Sequence, residues 1–117
     1  MVIQEVRLNA VNYGVPPVVH AVQADRARHL RMYVDDLDVS DIQDGMLCYI
    51  RPDGTGGWVA AHQHLEDGIE DAFRADITNA LIVDGRVECQ LKLDDSSGYT
   101  VSTFTFYIDV EKGIRGL

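Results

Sequence analysis

The stretch VECQLKLDDSSGYTVSTFTFYIDV, Val87–Val110, decides how the rest of the chain is read. Val87, Cys89, Leu91 and Leu93 take every second position, with Glu88, Gln90 and Lys92 between them. Alternate side chains of an extended chain point to opposite faces, so one face here is apolar and the other polar. DDSSG, Asp94–Gly98, reads as a turn, because Asp and Ser satisfy nearby amides and Gly accepts left-handed backbone. Phe104, Phe106, Ile108 and Val110 then alternate with Thr103, Thr105, Tyr107 and Asp109. Together these predict a long antiparallel hairpin with one buried face.

The same period of two continues upstream. Val6, Leu8 and Ala10 share a face, and Pro16 and Pro17 then interrupt the chain. VVHAVQ, Val18–Gln23, follows, and Leu30, Met32 and Val34 alternate with His29, Arg31 and Tyr33. DDLDVSDIQDG, Asp35–Gly45, is a polar, turn-rich connection. Met46, Cys48 and Ile50 alternate with Leu47, Tyr49 and Arg51; apolar residues on both faces predict a central strand. Trp58–Gln63 reads as its hairpin partner across RPDGTGG, Arg51–Gly57. From Leu65 to Leu81 a helical stripe competes with a strand. Gly68 weakens the helix, so the reading is a strand near Ile69–Ala75 and a helical turn near Ile77–Leu81.

A chain of 117 residues suits one domain, 1–117, and no repeat or linker divides it. About seven or eight short strands with punctuating turns predict an all-β, single-domain antiparallel β-sandwich of immunoglobulin-like architecture. A true immunoglobulin domain is not supported. Cys48, Trp58 and Cys89 stand in the expected order, but the cysteines are too close, and Val87 takes the place of the corner tyrosine.

The apolar fraction of 46% and charged fraction of 25% are those of a globular chain rather than a disordered one. A net charge of −9 repels phosphate backbones and anionic lipid, so neither nucleic acid nor membrane is expected as a partner. No apolar run has the length of a membrane span, and MVIQEVRLNAV lacks the features of a signal peptide. A cytoplasm is therefore the expected place of folding, with Cys48 and Cys89 as reduced thiols on inward faces.

Candidate chemistry is sparse. His62, His64 and Glu66 alternate and would share a strand face, but a fourth metal ligand is missing, and a solvated strand end is the simpler reading. Counting an EF-hand loop from Asp36 puts Asp41 where glycine belongs and Leu47 where glutamate belongs, so the motif fails. Ser40, Ser96, Ser97 and Ser102 lack a nucleophile-elbow context, and neighbouring Asp94 and Asp95 point to opposite sides of a strand. RPDGTGGW, Arg51–Trp58, lacks the lysine, hydroxyl and helix of a phosphate loop. Pro52, Asp53 and Gly54 are turn formers, while Trp58, Tyr49 and Tyr33 are candidates for stacking on a sugar. No enzyme activity and no cofactor are expected.

The order of these features resembles the N-terminal domain of the phage baseplate upper protein family (BppU) of Gram-positive siphophages and prophages. The resemblance runs from about Val6 to Val110. It rests on the opening strand and on VQAD at Val22–Asp25, where the family tends to have a Q-G-D-like stretch and here has Ala24 for the glycine. It rests also on RPDG at Arg51–Gly54, DG at Asp84–Gly85, and the closing STFTFYIDV at Ser102–Val110. The resemblance implies a non-catalytic module of a phage tail baseplate that docks onto the distal tail hub protein and neighbouring copies, anchoring the host-adhesion apparatus. It implies a homo-oligomer in the assembled particle. Many members continue into a longer region, so a chain stopping at Leu117 is expected to be a short paralogue or a piece of a longer protein. The alternative function is a carbohydrate-binding domain for host cell-wall sugars, resting on Trp58, Tyr49 and Tyr33.

Overall fold

The computed structural model describes residues 2–23, 28–39, 42, 44–63, 72–78, 81, 83–95 and 97–113. Among them the chain is all-β, with no helix and nine strands. These are β1 (Val2–Leu8), β2 (Val18–Val22), β3 (Arg28–Val34), β4 (Asp44–Ile50), β5 (Gly56–Gln63), β6 (Ala72–Asp76), β7 (Gly85–Asp94), β8 (Thr100–Ser102) and β9 (Phe106–Glu111). They form one hydrogen-bonded sheet in the order β1-β3-β6-β5-β4-β7-β9-β2, with β8 added on β7.

This corrects the expected antiparallel sandwich. The sheet is mixed: β1 runs parallel to β3, and β2 runs parallel to β9. It curls into a nearly closed, barrel-like shell. The two ends of the path, β1 and β2, are held together by side chains. Gln4 Nε2 donates to the His20 carbonyl (2.8 Å), Arg28 donates to the same carbonyl (3.3 Å), and Arg28 also donates to Gln4 Oε1 (2.7 Å). On the far side of the path, β5 and β6 pair among the described residues at His62↔Arg74 and Gln63↔Phe73. A period-two sequence pattern fixes which face of a strand is buried; it carries no information on the partner strand or its direction.

The core lies inside the shell. Leu8, Leu30, Met32, Leu47, Phe73, Leu91, Leu93, Phe106 and Ile108 are fully buried. Each such side chain contributes about 1.5–3 kcal/mol relative to exposure, so the alternating residues are what close the sheet. β4 is central, as expected, but its inward residues are Leu47 and Tyr49; Cys48 faces outward and is half-buried, which corrects its expected inward placement. β6 supplies the expected strand at Ala72–Asp76, and a Leu81 N–H to Thr78 carbonyl bond (3.0 Å) closes one turn after it. The start of that expected strand, from Ile69, lies outside the described residues.

The closing hairpin departs from its predicted form at one residue. β8 pairs with β7 as Lys92↔Ser102, whereas β9 pairs as Cys89↔Phe106. Two residues of β7, Gln90 and Leu91, thus face three of the returning chain, Thr103 to Thr105, which is a β-bulge. Thr103 is buried, and its hydroxyl accepts the Leu91 N–H (3.0 Å) while its own N–H donates to the Leu91 carbonyl (2.9 Å). The Phe104 N–H leaves the hairpin and donates to the Asn9 carbonyl (2.8 Å). The extra residue turns Phe104 off the core face to 37% exposure, while Phe106, Ile108 and Val110 stay inside.

Candidate functional site

The hairpin mouth between β4 and β5 is a closed turn. The Gly54 N–H donates to the Arg51 carbonyl (2.9 Å), the Arg51 N–H donates to the Thr55 carbonyl (2.8 Å), and Gly54 has φ 89°. Asp53 Oδ1 accepts the Thr55 hydroxyl (2.6 Å) and the Thr55 N–H (2.9 Å). These bonds, the hydroxyl first, hold the Asp53 carboxyl below its ordinary range. The loop amides are used within the loop, so RPDGTGGW forms a structural turn.

The three candidate stacking rings do not meet. Tyr49 is inward and 6% exposed, and its ring lies over Gly57, where an added Cβ would stand 2.5 Å from the hydroxyl. Arg51 covers Tyr49 from the side, its guanidinium 5.0 Å from the ring centre and donating to the hydroxyl (3.2 Å). Trp58 pairs across from Cys48, on the outward face, and is 61% exposed. Tyr33 is half-buried on β3 under the Arg7 guanidinium at 4.4 Å.

The titratable groups fall into small sets. Burial pushes the Cys89 thiol up to about 12, which makes it inert. His62 Nδ1 is 2.6 Å from Asp44 Oδ1, and His29 contacts Asp76 through Nδ1 and Oδ1. His29, His62, Arg74 and Asp76 line an open groove of about 510 Å³ with Val59, Ala60 and Thr78, where β5 and β6 part. Among the described residues no three His, Cys, Asp or Glu side chains gather as a metal site. His64 and Glu66 lie outside those residues, as do Ser40 and Ser96.

Sequence reasoning missed two features. Asp36, read as part of a local turn, reaches across to the loop after β1. Its carboxylate accepts the backbone N–H groups of Ala10 (2.8 Å), Val11 (3.0 Å) and Asn12 (2.7 Å). Those amides, Ala10 first and Asn12 next, lower its pKa. The clamped loop displays exposed Val11, Tyr13 and Val15, and Tyr13 meets Phe104 edge to face with ring centres 5.3 Å apart. A carboxylate 24 or more residues from its amides leaves no signal in local spacing. The second feature is the outward face of β4 and β5, where Trp58, Ile50 and Ala60 are exposed and Met46 and Cys48 half-buried.

Fold and surface together define a class: a small domain built on a barrel-like mixed sheet, with exposed apolar side chains on its outward surfaces. No protein-family model matches the chain, and no curated protein matches it in sequence. Among solved structures it is similar to the N-terminal domain of phage TP901-1 ORF48. The TM-score is 0.69 at 16% identity, over 96% of this chain and all of that one. The resemblance to the baseplate upper protein N-terminal domain therefore holds at the level of the fold.

Proposed function

We propose that this domain is a structural module of a phage tail baseplate. It docks onto the distal tail hub protein and neighbouring subunits, including copies of itself, and anchors the host-adhesion apparatus. It acts without catalysis or cofactor, resides in the virion tail, and is folded and assembled in the cytoplasm of the bacterial host. The observation that carries this reading is the fold likeness to the ORF48 domain along the whole of that domain. The exposed apolar side chains on the clamped loop and on β4–β5 support it, since contiguous exposed apolar surface in a soluble domain marks interaction sites.

The test is co-purification with the tail hub protein encoded nearby, read by light scattering. The expected result is a complex of defined mass. If the two proteins stay apart at high concentration while the domain binds cell-wall polysaccharide, the carbohydrate-binding reading replaces this one. That second reading is favoured by the exposure of Trp58 and disfavoured by the inward Tyr49.

A further inference from the structure

The outward row of β7 carries its charges in a self-complementary order. Val87, Cys89, Leu91 and Leu93 are buried, so Arg86, Glu88, Gln90, Lys92 and Asp94 stand on the opposite face. Their charges read plus, minus, neutral, plus, minus. Read backwards, the row is its own complement at every position. A second copy laid over it antiparallel and centred on Gln90 brings Glu88 over Lys92 and Arg86 over Asp94, each twice.

Alternating charge alone is ordinary for a solvated strand. The neighbouring strands add what a solvated strand does not need. Register places Cys48 beside Gln90, and Trp58 beside Cys48, so the three form a line across the sheet. Two residues to either side, Met46 lies between Ala60 and Lys92, and Ile50 lies between Gly56 and Glu88. Trp58 and Ile50 are 61% and 48% exposed. A half-turn about the line returns Trp58 and Cys48 onto their counterparts and exchanges Met46 with Ile50. Apolar residues meet apolar residues while the flanking charges pair, as a self-complementary two-fold contact requires. Sheets packed face to face lie about 10 Å apart with strands aligned within about 30°, a gap that Lys and Glu side chains span.

From this juxtaposition we infer that the outer face of β5, β4 and β7 is a two-fold docking surface for a second copy of this chain. The inference rests on the reading of the domain as an assembling module and names the surface through which copies meet. A charge of −9 per copy opposes association at long range, so the local alternation selects the face and its register. Arg86 is already bidentate to Asp109 (2.7 and 2.9 Å), so the Glu88–Lys92 pairs carry more of the selection.

The experiment is analytical ultracentrifugation of the full chain from micromolar to near-millimolar concentration. A monomer–dimer equilibrium is expected. Lys92→Glu and Glu88→Lys should each weaken it by about tenfold or more, since each turns two attractions into repulsions. The double variant Glu88→Lys/Lys92→Glu should return to near wild-type affinity, because the swapped row is still its own complement. Trp58→Ala should weaken dimerisation without unfolding the chain, checked by circular dichroism. A bismaleimide of roughly 8 Å span should link Cys48 to its counterpart across the face-to-face gap. Cys48→Ser should abolish that product, and buried Cys89 should give none. A chain monomeric throughout overturns the inference. So does a dimer indifferent to the reversals, or a double variant as weak as the singles. Hub co-purification of the same variants separates the two claims. A monomeric chain that still binds the hub overturns only the two-fold surface. If the reversals abolish hub binding and the wild type is monomeric, the face belongs to the hub. A dimer that ignores the hub overturns only the proposed function.

Discussion

The β4–β5 hairpin and the β7–β8–β9 hairpin begin alike. At Arg51–Thr55 and at Asp95–Tyr99 the first N–H donates to the fifth carbonyl and the fourth N–H to the first carbonyl. In each, the fourth residue is glycine with positive φ, 89° at Gly54 and 85° at Gly98. In each, an aspartate accepts the N–H two residues on. Beyond the turns they diverge. β4 and β5 pair without interruption from Ile50↔Gly56 to Asp44↔His62. The return of β7 breaks at Thr103 and resumes one residue out of step. The turns start the two hairpins alike, and the register slips where the Thr103 hydroxyl takes the Leu91 N–H.

The largest test of this contrast lies in two phenylalanines, Phe104 within the bulge and Phe106 after it. Phe106→Ala should cost about 3–5 kcal/mol, as a fully buried ring does, and Phe104→Ala under about 1 kcal/mol. Equal losses in urea denaturation would place both rings in the core and remove the register shift. Next is Thr103→Val, which leaves the buried Leu91 N–H without its acceptor. The expected loss is about 2 kcal/mol, with Thr103→Ser retaining most of the stability. Smaller again are Gly54→Ala and Gly98→Ala, each expected to cost about 1 kcal/mol by forcing a side chain into left-handed backbone. Because the turns match, the two losses should agree closely; a one-sided loss would break the likeness.

The smallest effect is one of pH. The Asp53 carboxyl has a lowered pKa in the folded chain, so its contribution is present at neutral pH and is lost as pH falls through the folded value. The difference in urea midpoint between wild type and Asp53→Asn should therefore be widest near neutrality and close under acid conditions. A difference that grew on acidification would contradict the bonding of Asp53 to Thr55.

Much of the strand content was legible in the sequence, and the reasons are local. Alternation places Leu30, Met32 and Val34 inside β3 and Val87 to Leu93 inside β7. Pro52-Asp53-Gly54 announces its turn. Pairing beyond the two hairpins was not legible, since Val2–Leu8 and Arg28–Val34 carry no mark that they run parallel. Nor was the bulge, because Thr103 and Phe104 continue an unbroken alternation and only the tertiary fate of two N–H groups reveals the slip. Cys48 reads as inward yet stands outward because β4 is apolar on both faces, and period two cannot rank two apolar faces. The charges of β7 stood in the sequence as polar spacers. They acquire their second meaning beside Cys48 and Trp58, a neighbourhood that only the register supplies.

The way the shell closes has a mechanical consequence. Between β1 and β2 the continuous ladder of backbone bonds is replaced by a clasp, in which Gln4 and Arg28 hold the carbonyl of His20. Every other pair of neighbours along the path is joined by backbone bonds, so these few side-chain bonds are the least costly line along which the shell can part. Opened there, it would gape like a locket while every ladder stays intact.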